Sequence, residues 1–188
     1  MNLLKNTLTG GNLKLMFIPG EIISVLSFPG IIVHEFAHMI FCKMRKVAVF
    51  DACYFRVGNP AGYVTHEHTQ NFVTTFLISM GPFFVNTLLC FLICFPAYFP
   101  VYFDMANPIS VLLLWLGLSI GMHAIPSDTD ADHVYAQAKE RIKTGNLLAI
   151  ISFPLVGLIY VFNALRIVWI DLIYAVAIGI GIPSLILG

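Results

Sequence analysis

The segment His34-Glu35-Phe36-Ala37-His38 has the H-E-x-x-H pattern of residue types that can bind and use a metal ion. On a helix, residues i and i+4 lie on one face, about 5–6 Å apart, so the imidazoles of His34 and His38 can reach one Zn²⁺. The ion lowers the pKa of a water molecule to about 7, and the Glu35 carboxylate can take its proton as the water attacks a peptide carbonyl. The motif therefore predicts one zinc ion per chain and hydrolytic chemistry.

The composition around the motif favours this interpretation over two histidines packed inside a protein. The chain has 188 residues, of which 59% are hydrophobic and 11% are charged, and its mean hydropathy is +0.87. These values are typical of a membrane protein with several spans. Ionisable side chains are costly in a bilayer and usually mark function there. The formal net charge of zero argues against a nucleic-acid partner, since no basic surface suited to a phosphate backbone is present.

The apolar segments predict an all-α polytopic membrane protein with about four or five transmembrane helices, in one domain over 1–188. The segments are 22–44, 72–103, 109–125 and 147–187. The first contains the motif, and its Pro29 is suited to a kink or to a helix start after Ser27. The last is long enough for two spans. A break between these two spans is predicted by three polar positions: Asn163, Arg166 and Asp171.

Residues 47–66 differ in composition from the apolar segments. β-Branched and aromatic residues flank the sequence Gly58-Asn59-Pro60-Ala61-Gly62, a combination that favours a small β-hairpin after the metal-binding helix. Such a hairpin could exist only at the membrane surface or packed against protein, and its open edge could bind an extended substrate. A surface loop is an equally good interpretation of the same segment.

A catalytic zinc ion with one open position needs a third protein ligand, and acidic residues after the third apolar segment can supply it. Ser127-Asp128-Thr129-Asp130 has the form of a helix-capping box, and the following residues up to Lys143 predict a short amphipathic helix outside the bilayer. A carboxylate in this first turn that is not a ligand is stabilised there by the helix dipole. His123, three residues before Pro126, is either a hydrogen-bonding partner of the site or a packed histidine.

Basic residues predict the orientation in the membrane. Two clusters follow the first and third apolar segments: Lys43, Arg45 and Lys46, and Lys139, Arg141 and Lys143. The positive-inside rule places both clusters on the cytoplasmic side of the cell membrane. Since His38 lies five residues, about 8 Å along a helix, before the first cluster, the active site is expected just beneath that face. Lys5 and Lys14 break the rule if the amino terminus is outside, unless residues 12–28 form a re-entrant or interfacial segment.

Over about residues 34–132 the chain resembles the site-2-type intramembrane zinc metalloproteases. Members of this family combine an H-E-x-x-H helix with a Gly-Pro-containing helix that has a nearby Asn, and with a late Asp ligand. Gly81-Pro82 is similar to the family's Gly-Pro, and Asn86 stands one residue beyond the usual spacing. The resemblance implies that Asn86 lies near the substrate carbonyl.

The family resemblance leaves two carboxylates for the third metal ligand. The spacing of the family's Pro-x-Asp-Gly motif favours Asp128, although no glycine follows this residue here. A Pro-Ser-x-x-Asp-Ala arrangement, which resembles a divergent branch of membrane zincins, favours Asp130. Asp130 is preferred, and both remain candidates.

The sequence as a whole predicts a membrane metalloprotease that cleaves a peptide bond within or next to a transmembrane segment of a protein substrate. His34, His38 and Asp130 or Asp128 would hold Zn²⁺, and Glu35 would be the general base. A membrane-anchored zincin that acts on soluble peptides is one alternative, and a non-catalytic membrane protein that binds or transports metal is another. Transport is disfavoured because the apolar segments after residue 69 contain few ionisable groups to line a path. A structural protein that binds no metal is the last alternative.

Overall fold

The computed structural model describes residues 20–143 and 145–188, so the predictions about Lys5 and Lys14 lie outside the described residues. The helices and strands are, in chain order, α1 (Gly20–Leu26), α2 (Phe28–Met44), β1 (Val49–Cys53), β2 (Tyr63–His66), α3 (Phe72–Tyr102), α4 (Pro108–Met122), α5 (Asp128–Ile142), α6 (Leu147–Ala164), α7 (Ile170–Val176) and α8 (Ile182–Leu187). A 3₁₀ turn, Leu165–Val168, follows α6, and a π-helical turn, Ala177–Gly181, joins α7 to α8. The described chain is mostly helical, as predicted.

Within the described residues, three helical segments are long and apolar enough to cross a membrane: Phe72–Tyr102, Leu147–Val168 and Ile170–Leu187. The pair formed by α1 and α2 becomes a fourth if it is one span, although the two helices are bent by 82°. The apolar helix α4 has only 15 residues, fewer than the roughly 20 that a bilayer requires. These segments support the prediction of a membrane protein. The described residues contain three or four candidate spans, whereas four or five were predicted.

The bend between α1 and α2 falls at Ser27, where the sequence predicted a kink or a helix start. Ser27 is the N-cap of α2, and Pro29 lies in its first turn, where the missing N–H of proline is harmless. The Ser27 hydroxyl donates a hydrogen bond of 2.7 Å to the carbonyl of Ile23, which satisfies one acceptor at the end of α1. The start of α2, and with it the direction of the motif helix, is therefore fixed at this residue.

Helix α3 is the longest element, and the other helices pack along its two halves. The first half lies beside α2, since Arg45 donates to the Thr74 hydroxyl at 2.9–3.0 Å, and also beside α5. The second half lies beside α4 and the C-terminal helices, where Tyr98 accepts a 2.9 Å hydrogen bond from Ser184. The metal motif therefore lies beside the first half of α3, where His38 contacts the carbonyl of Ile78.

The crossing of α2 and α4 requires glycine at position 30. A Cβ atom on Gly30 would lie 2.0 Å from the backbone oxygen of Ser119 and 2.6 Å from the His123 ring, both far inside van der Waals contact. Because the two backbones approach so closely, the end of α4 reaches the first half of the motif helix. This contact brings the loop after α4 to His34.

Residues 47–66 form the β-hairpin that the sequence favoured and not a surface loop. Strands β1 and β2 are antiparallel, with Ala52 opposite Val64 and Cys53 opposite Tyr63, and the register is irregular near the start of β1. Across the pair, the Tyr63 hydroxyl donates to Asp51 at 2.8 Å, and this bond raises the pKa of Tyr63. The hairpin packs against α2, as a ribbon near a membrane must pack against protein.

Helices α5 and α6 form an antiparallel pair. The predicted capping box is present at the start of α5, with Ser127 and Asp130 bonding each other's backbone N–H, so the predicted helix is confirmed. One face of α5 packs against α6 and the first half of α3, through Ala131, Val134 and Ala138. Tyr160 of α6 donates a hydrogen bond to Asp132 of α5. The acidic start of α5 is therefore held in a fixed position beside α2.

The predicted break in the last apolar segment lies at Trp169, between the 3₁₀ turn and α7. Trp169 has a left-handed backbone, with φ of 61°, which is unfavourable for a residue other than glycine and ends the helix. The ion pair between Arg166 and Asp171, 3.1 Å from Nε to Oδ2, spans this break. Two of the three polar residues that predicted the break thus hold its two sides together.

Both basic clusters lie at the same end of the molecule. Arg45 binds Thr74 in the first turn of α3, and Arg141 donates to the carbonyl of Gln70, just before α3, at 3.2 Å. The beginning of α3 is therefore flanked by both clusters, as the positive-inside argument requires of two cytoplasmic clusters.

Candidate metal centre

The side chains of His34, His38 and Asp130 come together between α2 and α5. The Nε2 atoms of the two histidines are 3.2 Å apart, and His38 Nε2 is 3.5 Å from Asp130 Oδ1. One ligand atom from each residue lies within 4.8 Å of the other two. His38 and Asp130 are largely buried, with side chains 8% and 14% exposed. These three residues could hold a metal ion.

Hydrogen bonds to the backbone orient both imidazole rings. His34 Nδ1 donates to the carbonyl of His123 at 2.7 Å, and His38 Nδ1 donates to the carbonyl of Ile78 at 2.9 Å. A carbonyl oxygen can only accept, so the proton of each ring lies on Nδ1. The Nε2 lone pairs then face each other and the Asp130 carboxylate with no proton between them, an arrangement that a cation would stabilise.

Asp130 acts as a helix cap with one oxygen and faces the histidines with the other. Its Oδ2 accepts bonds from the Ser127 backbone N–H at 3.0 Å and from the Ser127 hydroxyl at 2.6 Å, which leaves Oδ1 for His38. Burial alone would raise the pKa of Asp130, but the nearby histidines and the Ser127 hydrogen bonds lower it below its usual value. The carboxylate is therefore charged, as a metal ligand must be.

The neighbouring acidic residues point elsewhere. Asp128 accepts a hydrogen bond of 2.7 Å from the Asn163 side chain, and Asp132 accepts one from Tyr160. Neither belongs to a group of potential metal ligands in the part of the chain that the structure describes. Of the two candidate aspartates, the structure thus brings Asp130 to the histidines and holds Asp128 against α6.

Glu35 lines a small cavity beside the three ligands. The cavity has a volume of about 170 Å³ and is bounded by His34, Glu35, His123 and Arg166 with residues of α1 and the hairpin. Gly62 of the hairpin covers Glu35, since a Cβ at this glycine would lie 2.7 Å from Glu35 Cγ. Glu35 is 9% exposed and has no hydrogen-bond partner in residues 20–143 and 145–188. Its carboxylate is therefore free to act on a molecule in the cavity.

His123 contributes to the site mainly through its backbone. Its carbonyl orients His34, while its ring Nε2 donates to the Ser27 hydroxyl at 2.9 Å. This second bond is possible because the Ser27 hydroxyl donates its own proton to Ile23. The histidine thus ties the loop after α4 to the bend before α2. His66 is not part of this centre; it lies with His68 and His133 around a separate cavity of about 330 Å³.

Asn86 lies beside the metal centre and is not among the residues that line the cavity. It is 0% exposed, and its Nδ2 donates to the carbonyls of His123 at 3.0 Å, Ile120 at 3.1 Å and Gly30 at 3.4 Å. The His123 carbonyl is the same one that accepts from His34. Asn86 therefore joins α2, α3 and the end of α4 at the level of the ligands.

Replacing Asn86 by leucine is expected to weaken metal binding by about 10- to 100-fold, the usual effect of losing a group that orients a ligand. Without the amide, the His123 carbonyl loses a donor and the His34 ring loses its fixed position. Titration with a competing chelator measures this affinity. Thr87→Val is the matched control, because Thr87 follows Asn86 on α3 but bonds Tyr174, at 2.6 Å. Equal affinities in both variants would contradict this role of Asn86.

Two features of the site were missed in the sequence. Arg166 was interpreted as a marker of the helix break, yet it lines the cavity with Glu35. Gly62 was interpreted as part of a turn, yet it lies directly on Glu35. The role of Arg166 had a signal in the sequence, because an isolated arginine in an apolar segment usually has a functional partner.

Comparisons with known proteins gave no match: no family model, no curated protein and no solved structure is matched by this chain.

Proposed function

We propose that the chain is a membrane-embedded zinc metalloprotease that hydrolyses peptide bonds within or next to transmembrane segments near the cytoplasmic face. The observation that carries the proposal is the position of Glu35, which lines one cavity with His34 and lies beside three residues that could hold a metal ion. Metal-assisted hydrolysis needs a carboxylate that lies next to the metal ligands and makes no hydrogen bond to another residue.

The spacing of the ligand atoms supports zinc as the metal. Two atoms bound to zinc at about 2.05 Å and at the tetrahedral angle are about 3.3 Å apart. The observed separations are 3.2 Å between the histidine nitrogens and 3.5 Å between His38 and Asp130. Two neutral imidazoles and one carboxylate are a typical catalytic zinc set, which leaves a fourth position open.

Zinc, when bound, supplies the positive charge that lowers the pKa of water and polarises the scissile carbonyl. Glu35 takes the proton from the attacking water molecule and then passes it to the nitrogen of the leaving amine. His34 and His38 each donate Nδ1–H to a backbone carbonyl, so Nε2 is the ring nitrogen that would bind the ion. The Gly62 backbone over Glu35 limits the access of bulk water to this proton transfer.

The membrane setting supports a substrate that is itself in or near the bilayer. Large apolar side chains are exposed on the candidate spans, for example Leu88, Leu92 and Ile151, and such a surface is stable against lipid. The two basic clusters at one end support a cytoplasmic position for that end. The two histidine ligands lie within α2, near its end at Met44, which supports cleavage of a peptide bond near a membrane surface.

Removal of zinc is expected to abolish cleavage of a model transmembrane segment by the detergent-purified protein, and zinc re-addition is expected to restore it. Elemental analysis should give about one zinc per chain before removal. Cleavage of soluble peptides but not of transmembrane segments would instead establish the membrane-anchored zincin. A folded protein without zinc, or with zinc and no hydrolysis of either substrate, would contradict the proposal.

A further inference from the structure

We propose that Arg166 is a substrate-binding residue, which donates hydrogen bonds to a backbone carbonyl of the peptide next to the bond that is cleaved. This inference rests on the proposed protease function. Arg166 lies in the 3₁₀ turn after α6, more than 120 residues from the motif in the sequence, and it lines the same cavity as His34 and Glu35. A peptide that is positioned for attack by the water molecule that Glu35 activates therefore lies beside the guanidinium.

Two contacts on one edge hold the guanidinium in place. Its Nε is 3.1 Å from Asp171 Oδ2, and its Nη2 donates to the Ile125 carbonyl at 3.4 Å. A guanidinium has five N–H donors, and Nη1 has no partner among the residues that the structure describes. The Arg166 side chain is 44% exposed. At least two donors are thus fixed in direction and available to a bound molecule.

The charges near the cavity favour a peptide carbonyl over a carboxylate as the acceptor. Asp171 already balances the charge of Arg166, and Glu35 places a second carboxyl group in the same cavity. A substrate carboxylate at Arg166 would add an unbalanced negative charge near Asp171 and Glu35. A carbonyl adds no charge, and the unwound backbone of a membrane substrate has carbonyls that need donors.

The test uses two zinc-binding probes on the zinc-loaded protein, so that it does not depend on cleavage. One is acetohydroxamic acid, which has no peptide backbone. The other is an uncharged dipeptide hydroxamate, amidated at its C-terminus, together with its uncharged analogue in which a trans-alkene replaces the first peptide bond. Arg166→Gln is expected to weaken binding of the dipeptide probe by about 10- to 100-fold, the effect of one hydrogen bond to a charged group. Binding of acetohydroxamic acid should not change.

The alkene analogue tests whether Arg166 binds the peptide carbonyl, because a guanidinium has only donors and cannot bind the N–H that is also removed. The analogue should bind the parent protein as weakly as the dipeptide probe binds Arg166→Gln. Its binding should be no weaker in Arg166→Gln than in the parent. Arg166→Lys keeps a charge beside Asp171 and lacks the Nη1 donors, so it should behave like Arg166→Gln with its zinc content intact. Lys139→Gln, an exposed change on α5, is the control for the loss of a positive charge.

Three results would overturn the proposal. The first is equal binding of the dipeptide probe by the parent and Arg166→Gln, and the second is an equal loss of both hydroxamates in this variant. The third is an effect that appears only when the dipeptide carries a free C-terminal carboxylate, which would make Arg166 a carboxylate-binding residue. Failure of the protease function itself is distinguished by the cleavage assay, which does not enter these comparisons.

Discussion

Glu35→Gln is expected to retain about one zinc ion per chain and to lower kcat for peptide hydrolysis by about 10²- to 10⁴-fold. Glutamine has nearly the same shape, so its side chain keeps the packing against Gly62. It cannot accept the proton of the attacking water molecule. Because Glu35 has no hydrogen-bond partner among the described residues, its replacement breaks no other contact of the site. Zinc content and initial cleavage rates, measured on the same preparation, give the result.

Glu67→Gln is the matched control for this change. Glu67 is exposed in the loop after β2, and its hydrogen bonds to the described residues use its backbone alone: its N–H donates to the Ala48 carbonyl at 2.8 Å and its carbonyl accepts from His66 at 3.0 Å. This control should retain both zinc and activity. Unchanged kcat in Glu35→Gln would show that another group is the base. Loss of zinc from this variant would show that Glu35 maintains the site and does not act on water.

Local signals in the sequence predicted the elements that carry the site. The capping box at Ser127 fixed the start of α5, and Ser127 is the N-cap in the structure. Pro29 and Ser27 fixed the start of α2. Strand-forming residues on either side of the turn at 58–62 predicted the hairpin. Each of these signals acts within a few residues, so that neighbouring side chains and backbone groups determine the outcome.

Contacts between distant residues could not be predicted in the same way. The apolar segment 109–125 predicted a longer helix, but α4 ends at Met122, and the turn after it presents the His123 carbonyl to His34, 89 residues away. Asn86 reaches the same carbonyl from α3. Hydrophobic patterns carry no information on which carbonyl will face which ring, because that depends on how the helices cross.

The position of the third ligand is another result of packing. Asp128 and Asp130 have the same side chain and share the first turn of one helix, so composition and spacing left both open. In the structure their directions differ, since Asn163 of α6 binds Asp128 at 2.7 Å while Asp130 lies 3.5 Å from His38. The antiparallel packing of α6 on α5 thus separates two residues that the sequence could not distinguish.

Asp130→Asn is accordingly expected to weaken zinc binding by more than about 100-fold, a larger effect than the loss of a group that only orients a ligand. The amide removes the negative charge that faces the two histidines, while its oxygen can still accept from Ser127 and keep the helix cap. Asp128→Asn makes the same change of charge two residues away and should retain zinc and activity. Chelator titration of both variants, with circular dichroism to compare their helix content, measures the difference.

The opposite pattern, with zinc lost from Asp128→Asn and kept in Asp130→Asn, would mean that α5 turns when metal binds. That turn would break the capping box, in which the Asp130 carboxylate accepts two hydrogen bonds from Ser127, and the bond between Asp128 and Asn163. Loss of a helix cap alone costs about 1 kcal/mol, and the second bond adds a similar amount. The arrangement with Asp130 as ligand requires neither change, because the oxygen that faces His38 is not the one used by the cap.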